Sequence, residues 1–279
     1  MRNLLYILVF LTSFAKAQHA PFNPHPKEEV SFYSQVVVNS GSLTPTERMA
    51  ASCYVSDLLN NGLFNKSYAV YPMTGKTINS CKVNLIAPSN YSITFVNTVA
   101  GDFTSAGFKP NGTNKYGKTG LIPSTTMTLS TTGLHYFSSS TQVAGAFVEM
   151  SSVQSSSARM TGQIRTAADQ ATGTAYNATA GQGLIAVTNT VTVGMFSFVR
   201  ASATDNQIYM NGSSIITTTT TGGSLPNLEI YISAQNNAGA AASFSSKQCN
   251  MAAITYGLNS TEVLNFYNAT LRHNTFLGR

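Results

Sequence analysis

The sequence predicts a mainly-β protein: a β-sandwich with a helix on its N-terminal side and a short helix at its C-terminal end. From residue 68 onward about a dozen short apolar segments alternate with turn residues, a spacing typical of sandwiches rather than of alternating strands and helices. Asn211 and Gly212 join two of these segments, and this dipeptide favours a tight hairpin because both residues tolerate positive φ. Capping-box patterns at Thr44 and Asn259 predict the two helices.

Residues 1–17 have the pattern of a secretory signal peptide. Arg2 supplies the positive start, residues 4–11 the apolar core, and Ala15 and Ala17 a small-residue cleavage site. This core is too short for a transmembrane helix, and no later apolar run is long enough, so we expect no membrane span after cleavage. The alternative is an uncleaved N-terminal anchor. We therefore expect a secreted protein or one on the surface of a virion.

The rest of the chain divides into three predicted parts. Residues 18–42 contain three prolines and are expected to form an extended arm or linker, with a strand over 30–38. Residues 43–66 form a helical segment whose helix covers 45–60. Residues 67–279 form the sandwich domain.

Each predicted element has its own local signal. The first helix has an N-cap threonine, a first-turn proline and a capping-box glutamate, namely Thr44, Pro45 and Glu47. The main predicted strands cover 68–71, 82–86, 91–96, 134–137, 143–150, 157–164, 184–187, 191–199, 228–233 and 249–256, beside the hairpin around 208–216. The last helix follows Asn259, with Glu262 completing its capping box and an apolar stripe behind it.

The order of elements over 208–267 resembles the end of a concanavalin A-like or laminin-G-like jelly roll: hairpin, strand, loop, long core strand, closing helix. Segments 82–85, 93–95 and 110–116 are similar to structural proteins of tailed phages of Bacteroidota and their prophages, in which a helix precedes a jelly roll. The second resemblance covers about residues 40–279 and implies a virion or tail-associated protein. The signal-like N-terminus instead indicates an exported cell-surface protein, and both interpretations stay open.

The charge pattern argues against nucleic acid as a partner. Only 9% of residues are charged, and removal of Arg2 and Lys16 with the signal lowers the net charge from +6 to +4. The one loose basic group is Lys109, Lys115 and Lys118, which lacks the dense basic stripe of a nucleic-acid groove and is expected to be a solvated loop.

The chain has three cysteines, Cys53, Cys81 and Cys249, without a CxxC pair. Export permits one disulfide, and we expect Cys53 and Cys81 to form it because both lie in the N-terminal third. Cys249 lies in an apolar strand and is expected to be a small buried side chain. None of the three has the basic surroundings of a nucleophile.

The acidic and histidine residues do not predict an active site. A glycosidase needs two carboxylates facing one cleft, whereas Glu149 and Glu229 alternate with apolar neighbours and are expected to face outward from their strands. No nucleophile-elbow motif is present, and His135 is the only histidine in a predicted strand. We expect no enzymatic activity and assign no catalytic residue.

Metal binding has only weak support from the sequence. Asp102, Asp169 and Asp205 each lie in a predicted loop beside Gly, Thr or Asn, and carboxylate and amide oxygens suit calcium. Their spacing is not that of a dedicated calcium loop, so no metal site is assigned and calcium remains open.

Two loops have the chemistry of a carbohydrate site, since sugars bind to amide groups and aromatic faces. The candidates are Asn111, Asn114 and Tyr116 in one loop, and Asn236 and Asn237 in the other. The alternative is that the asparagines serve turn geometry alone. The leading hypothesis is a recognition module for carbohydrate or cell-surface glycan. The others are a self-assembling building block whose arm pairs with a neighbouring subunit, giving a homo-oligomer, and, with least support, a secreted glycan-active enzyme.

Overall fold

The structure is a computed structural model that describes residues 26–174, 185–219 and 223–279. These residues form three layers: a layer of helices, a first sheet beneath it, and a second sheet packed on the far side of the first. The predicted signal peptide over 1–17 and the first part of the predicted arm lie outside the described residues. Within the described ranges, every helix is too short or too polar to cross a membrane.

Five α-helices are described: α1 (Lys27–Val38), α2 (Pro45–Asn60), α3 (Ile78–Cys81), α4 (Pro123–Thr126) and α5 (Ser260–Phe276). Both predicted capping boxes are confirmed. At α2 the backbone N–H of Thr44 donates to the Glu47 carboxylate at 2.8 Å, and the Thr44 hydroxyl accepts from the Glu47 N–H. Asn259 and Glu262 make the same reciprocal pair at α5. With 17 residues, α5 is longer than the short helix expected.

The strands are β1 (Ser67–Tyr71), β2 (Thr94–Val96), β3 (Phe103–Thr104), β4 (Gly107–Phe108), β5 (Tyr116–Lys118), β6 (Thr132–Ser138), β7 (Met150–Val153), β8 (Arg159–Gln163), β9 (Gln170–Thr174), β10 (Ile185–Thr188), β11 (Gly194–Ser202), β12 (Asp205–Met210), β13 (Ser213–Thr218), β14 (Tyr231–Ile232), β15 (Gln235–Asn237), β16 (Ala240–Ala242) and β17 (Cys249–Thr255). Sheet 1 has the order β13-β12-β11-β6-β17-β4-β3, with β1 also paired to β17. Sheet 2 has the order β10-β9-β8-β7-β14-β5-β2, and the β15–β16 hairpin joins it at β7. The predicted mainly-β sandwich is confirmed.

Sheet 1 is buried on both faces, as the side chains of its strand β11 show. In β11, Phe196 and Phe198 point into the core between the two sheets. The alternate residues Met195 and Val199 point the other way, into a second core beneath α1, α2 and α5. This double burial explains why the sequence of β11 is apolar at successive positions rather than strictly alternating.

The predicted hairpin is confirmed in detail. Asn211 and Gly212 connect β12 to β13 with φ values of 51° and 81°, the left-handed conformations that a two-residue hairpin turn of this kind requires. The Asn211 side-chain oxygen also accepts a hydrogen bond from the Met195 N–H at 2.9 Å, which ties the turn to the neighbouring strand.

The predicted strand over 30–38 is wrong, because these residues belong to helix α1. Phe32 and Val36 lie one helical turn apart and are completely buried in the helix-side core. Tertiary packing of this pair outweighs the strand preference of the valines around it. The extended arm expected over 18–42 therefore contains a helix from Lys27 onward.

Two other predicted strands differ from the structure. Residues 82–86 form a loop in which the Asn84 side chain accepts hydrogen bonds from the N–H groups of Val70 and Ile86, at 3.0 Å each. Its apolar residues are still buried against the helix side, so the hydrophobic signal was real but did not specify a strand. Of the segment 143–150, only Met150 belongs to a strand.

Candidate ligand-binding surface

The outer faces of the two sheets have different surroundings. Helices α1, α2 and α5 cover the outer face of sheet 1. In the described ranges, the small apolar cluster on the outer face of sheet 2 contains residues from strands and loops and from no helix. Strand side chains alternate, so Ile232 points into the inter-sheet core while Tyr231 lies on the outer face. No helix of the described ranges therefore covers the outer face of sheet 2, although its neighbouring strand side chains Ser151, Thr161 and Tyr231 are at most 5% exposed.

Three aromatic rings form a cluster on this face, which we call the aromatic cluster: Tyr116 of β5, Tyr231 of β14 and Phe244. The ring centroid of Tyr116 lies 4.9 Å from that of Tyr231 and 5.8 Å from that of Phe244. The tyrosines are only 9% and 3% exposed, while Phe244 is half-buried. Tyr231 also donates its hydroxyl to the Gly239 carbonyl at 3.5 Å. The structure thus brings the two predicted loops to opposite sides of one cluster.

In the first predicted loop, Asn111 serves the turn. Its side-chain oxygen accepts from the backbone N–H groups of Thr113, Asn114 and Lys115 at 3.0, 3.1 and 3.1 Å. Its amide nitrogen donates to the side-chain oxygen of Asn114 at 2.8 Å. Asn114 is exposed, and its own side-chain N–H groups point to no acceptor in the described structure. In this loop the Asn114 side chain is therefore the amide that can donate to a ligand, while Asn111 holds the turn.

In the second predicted loop, Asn236 is structural and Asn237 is exposed. The Asn236 amide donates to the Glu229 carbonyl at 2.7 Å, and its oxygen accepts from the Gly239 N–H at 3.0 Å. The region is a hairpin rather than an irregular loop, with β15 and β16 joined at Ala238 and Gly239, whose φ values are 50° and 93°. Asn237 lies at the end of β15 with its side chain in solvent.

The two exposed asparagines do not converge on one point. Tyr231 pairs with both Lys118 on β5 and Ser151 on β7, so these two residues lie at the same level of the sheet. Asn237 lies beside Val153, two residues further along β7, whereas Asn114 precedes Lys118 by four residues. Asn237 therefore lies toward one end of these strands and Asn114 toward the other, with the aromatic cluster between them. The geometry suits an elongated ligand.

Charged groups beside the cluster are arranged as ion pairs. Lys118 Nζ lies 3.7 Å from Glu229 Oε1 and 5.6 Å from the centre of the Tyr231 ring. Lys115 Nζ donates to Asp102 Oδ1 at 2.7 Å. Of the three lysines that were expected to form a solvated loop, Lys115 and Lys118 have acidic partners and Lys109 is exposed. These three lysines therefore do not form a basic stripe.

The aspartates suggested for calcium do not fit a calcium site. Asp102 binds Lys115, and Asp169 accepts from Arg165 Nε at 2.8 Å. Asp205 accepts two hydrogen bonds from the Gln207 amide, at 2.7 and 2.9 Å. In the part of the chain that is described, no three acidic, histidine or cysteine side chains come together as metal ligands.

Glu149 does not face outward as expected. Its side chain is completely buried, and Oε1 lies 3.0 Å from the ammonium group of Lys247, which is buried as well. Oε2 accepts from the Ile164 N–H at 2.6 Å. Strand alternation failed here because the chain around Ser245 and Lys247 covers the residue. No sequence signal could have joined two residues 98 positions apart.

Both described histidines are buried and hydrogen-bonded. His135 contacts the hydroxyls of Ser197 and Thr255 at 2.8 Å each, beneath Phe266 of α5. Burial lowers the pKa of His135 to about 3, so the ring is neutral. His273 behaves alike, with its pKa lowered to about 3 chiefly by burial. Neither ring belongs to the aromatic cluster on the outer face of sheet 2.

All three cysteines are free and buried, which differs from the expected Cys53–Cys81 disulfide. Cys53 lies on α2 near the charges of Arg272 and Asp57. Cys81 ends α3 and donates its thiol to the Thr74 carbonyl at 3.6 Å. Their shared position in the N-terminal third does not place them together, because Cys81 belongs to the core between the sheets and Cys53 lies on α2 on the helix side of sheet 1. Cys249 is buried in β17, as expected.

No protein-family model and no curated protein matches this chain. Among solved structures, a mutant of the NanB sialidase from Streptococcus pneumoniae is similar over 56% of this chain and 26% of its own length, at 11% identity and a TM-score of 0.44. The matched part of this chain thus spans about a quarter of that sialidase.

Two further solved structures are similar over more of this chain. Domain 4 of AbnA, an extracellular arabinanase from Geobacillus stearothermophilus in complex with arabinotriose, covers 72% of this chain and 98% of its own, at 10% identity and a TM-score of 0.45. A structure of botulinum neurotoxin type C, whose cell entry is dependent upon interaction with two ganglioside molecules, covers 75% of this chain and 52% of its own, at 11% identity and a TM-score of 0.49. At these values the similarity transfers neither ligand nor activity to this chain.

Proposed function

We propose that this chain is a non-enzymatic extracellular recognition protein that binds carbohydrate along the outer face of sheet 2. The observation that carries the proposal is the aromatic cluster of Tyr116, Tyr231 and Phe244 on the sheet face that no described helix covers. Exposed amides stand at both ends of it, on Asn114 and Asn237. Phe244, the half-buried ring of the cluster, is the one that offers aromatic carbon to a ligand, while the two buried tyrosines support it. Amide donors beside aromatic carbon suit sugars, which present hydroxyls and apolar C–H faces together.

The charges of this surface support a neutral ligand. Lys118 and Glu229 neutralise each other beside the cluster, and Glu229 also accepts from the Gly120 N–H at 2.9 Å. Lys115 is neutralised by Asp102. A strongly charged ligand would have to break these pairs, whereas a neutral sugar chain can bridge them with its hydroxyls.

The non-enzymatic part of the proposal is supported by the placement of the carboxylates. Glu149 lies in the interior with its oxygens occupied by Lys247, Ser245 and the Ile164 N–H. Glu229 lies at the surface and is paired with Lys118. These two carboxylates therefore do not face one cleft, which glycoside hydrolysis requires.

The location of the protein is part of the same proposal. The signal pattern over 1–17 and the low charged fraction of 9% favour an exported protein, at a cell surface or on a virion. N-terminal sequencing of the protein from its native source tests this. A chain that begins at Gln18 supports export, and an intact Met1 on an intracellular or particle-bound protein argues against it.

Binding of the purified protein to an array of bacterial and algal polysaccharides tests the ligand, with calcium and with a chelator. We expect saturable binding that is insensitive to chelator and is weakened at least about tenfold by Asn237→Ala or Asn114→Ala. Asn268→Ala is the matched control, since Asn268 is also exposed but lies on α5.

Three results would count against the proposal. Binding weakened by Asn268→Ala to the same degree would place the ligand elsewhere. Loss of binding in chelator would show a metal site that the described aspartates do not form. No binding to any polysaccharide would favour the building-block function, for which the edge strand β13 gives separate support.

A further inference from the structure

In the described chain, six strands pair with one neighbour only, and they differ in length. These are β1, β3 and β13 in sheet 1, and β2, β10 and β16 in sheet 2. The strands β3, β2, β16 and β10 have two, three, three and four residues, so they offer few unpaired backbone groups to other chains. The five-residue β1 is covered by the loop over 82–86, where Val70 donates to the Asn84 side chain at 3.0 Å and accepts from the Leu85 N–H at 2.8 Å. The six-residue β13 has neither protection.

The composition of β13 does not protect it either. Its sequence is Ser-Ser-Ile-Ile-Thr-Thr, without a charge or a proline, the usual devices that keep an edge strand from pairing with another chain. Ser213, Ser214 and Thr217 are exposed, and the other three residues are half-buried. One protective irregularity is present, a register shift opposite Ile208 and Tyr209.

The strand is also held in place. Ile215 and Ile216 both pack against the inter-sheet core, and β12 pairs with β13 over most of its length. On its other side, β13 has no strand partner in the described structure. A row of backbone N–H and C=O groups is thus presented in a fixed, extended conformation, which is the requirement for strand addition.

We propose that β13 pairs antiparallel with β13 of a second copy of this chain. Sheet 1 of one copy and sheet 1 of the other would then form one continuous sheet across a twofold axis. Antiparallel pairing of a strand with itself matches donors to acceptors under twofold symmetry. An uncharged strand meets its own copy without like-charge repulsion, and serine and threonine side chains opposite one another form favourable cross-strand pairs. The inference does not depend on the proposed carbohydrate site, which lies on the other sheet.

Sedimentation equilibrium of the purified protein over about a hundredfold range of concentration tests the proposal. We expect a monomer–dimer equilibrium whose dissociation constant rises at least about tenfold in Thr217→Lys, because each dimer would then bury two lysines at the new strand pair. Thr128→Lys is the matched control: Thr128 is an exposed threonine in the loop after α4, and its substitution leaves dimerisation unchanged.

Hydrogen exchange of the unmodified protein gives a second readout that does not depend on how a variant folds. The β13 amides should exchange more slowly as concentration rises, while those of the short edge strand β2 should not change. A monomer at every concentration, or a Thr217→Lys dimer of unchanged affinity, would overturn the proposal. A dimer lost only on deletion of residues 18–25 would assign the interface to that segment instead.

Discussion

Lys247 Nζ lies 3.0 Å from Glu149 Oε1, and both side chains are completely buried. Gln142 Oε1 accepts a second hydrogen bond from the ammonium group at 2.7 Å, and Ser245 Oγ donates to Glu149 Oε1 at 2.9 Å. Glu149 immediately precedes β7 of sheet 2, and Lys247 lies two residues before β17 of sheet 1. The ion pair therefore fastens the two sheets together at one end of the sandwich.

Lys247→Met should destabilise the protein by about 3–5 kcal/mol, because it leaves the Glu149 carboxylate buried without its cation. The free energy of unfolding from urea titration measures this. Lys66→Met is the control, since Lys66 pairs with Glu262 at the surface and its removal should cost at most about 1 kcal/mol.

A double variant sharpens the test of this ion pair. Glu149→Met combined with Lys247→Met removes both charges, and it should be less destabilising than Lys247→Met alone, because no unpaired charge remains buried. If the single variant loses less than about 1 kcal/mol, or if the double variant is the worse of the two, the ion pair does not have the role assigned to it.

Stability should fall as the pH falls below about 6.5, the ordinary histidine pKa that the unfolded chain has. Burial lowers the pKa of both His135 and His273 to about 3. Between these values the unfolded state binds a proton at each histidine and the folded state does not. The free energy of unfolding therefore decreases by about 1.4 kcal/mol per pH unit for each histidine, until about pH 3.

Urea titrations between pH 7.5 and pH 5 measure this slope. His135→Gln and His273→Gln should each remove about half of the histidine contribution, and the double variant should remove all of it. A double variant with the same slope as the unmodified protein would show that other groups cause the acid sensitivity.

The three thiols should be inert in the folded protein. Burial raises the pKa of Cys81 to about 12 and also raises the pKa values of Cys53 and Cys249, so none is a thiolate at neutral pH. A coloured thiol reagent should label no cysteine in buffer and all three in denaturant without reductant. A count of one thiol in denaturant would instead support the expected Cys53–Cys81 disulfide, and a peptide map would show which two cysteines are joined.

The elements that could be predicted from sequence are those with a strong local cause. The Asn211-Gly212 turn and the capping boxes of α2 and α5 depend on a few adjacent residues, and all are found where predicted. Helix α1 could not be predicted in this way, because Phe32 and Val36 acquire their partners only from distant parts of the chain.

The candidate surface was predicted in part. The two loops do flank one aromatic cluster, but Asn111 and Asn236 prove to be turn-forming residues, as the alternative interpretation held. Tyr231 was missed as the link between the loops. A signal was present, because it alternates with Ile230 and Ile232 and so had to lie on the opposite face of the sheet from the core.

The position of β17 has a consequence for the order of synthesis. This strand lies between β6 on one side and β1 and β4 on the other, yet it is the last strand described along the chain, and α5 follows it. Sheet 1 cannot close, nor its outer face be covered, until the ribosome has made nearly all of the described residues. Contacts this distant in sequence also form slowly. If the chain is exported as proposed, its unfinished sandwich can still be threaded through a membrane pore, and folding completes on the far side.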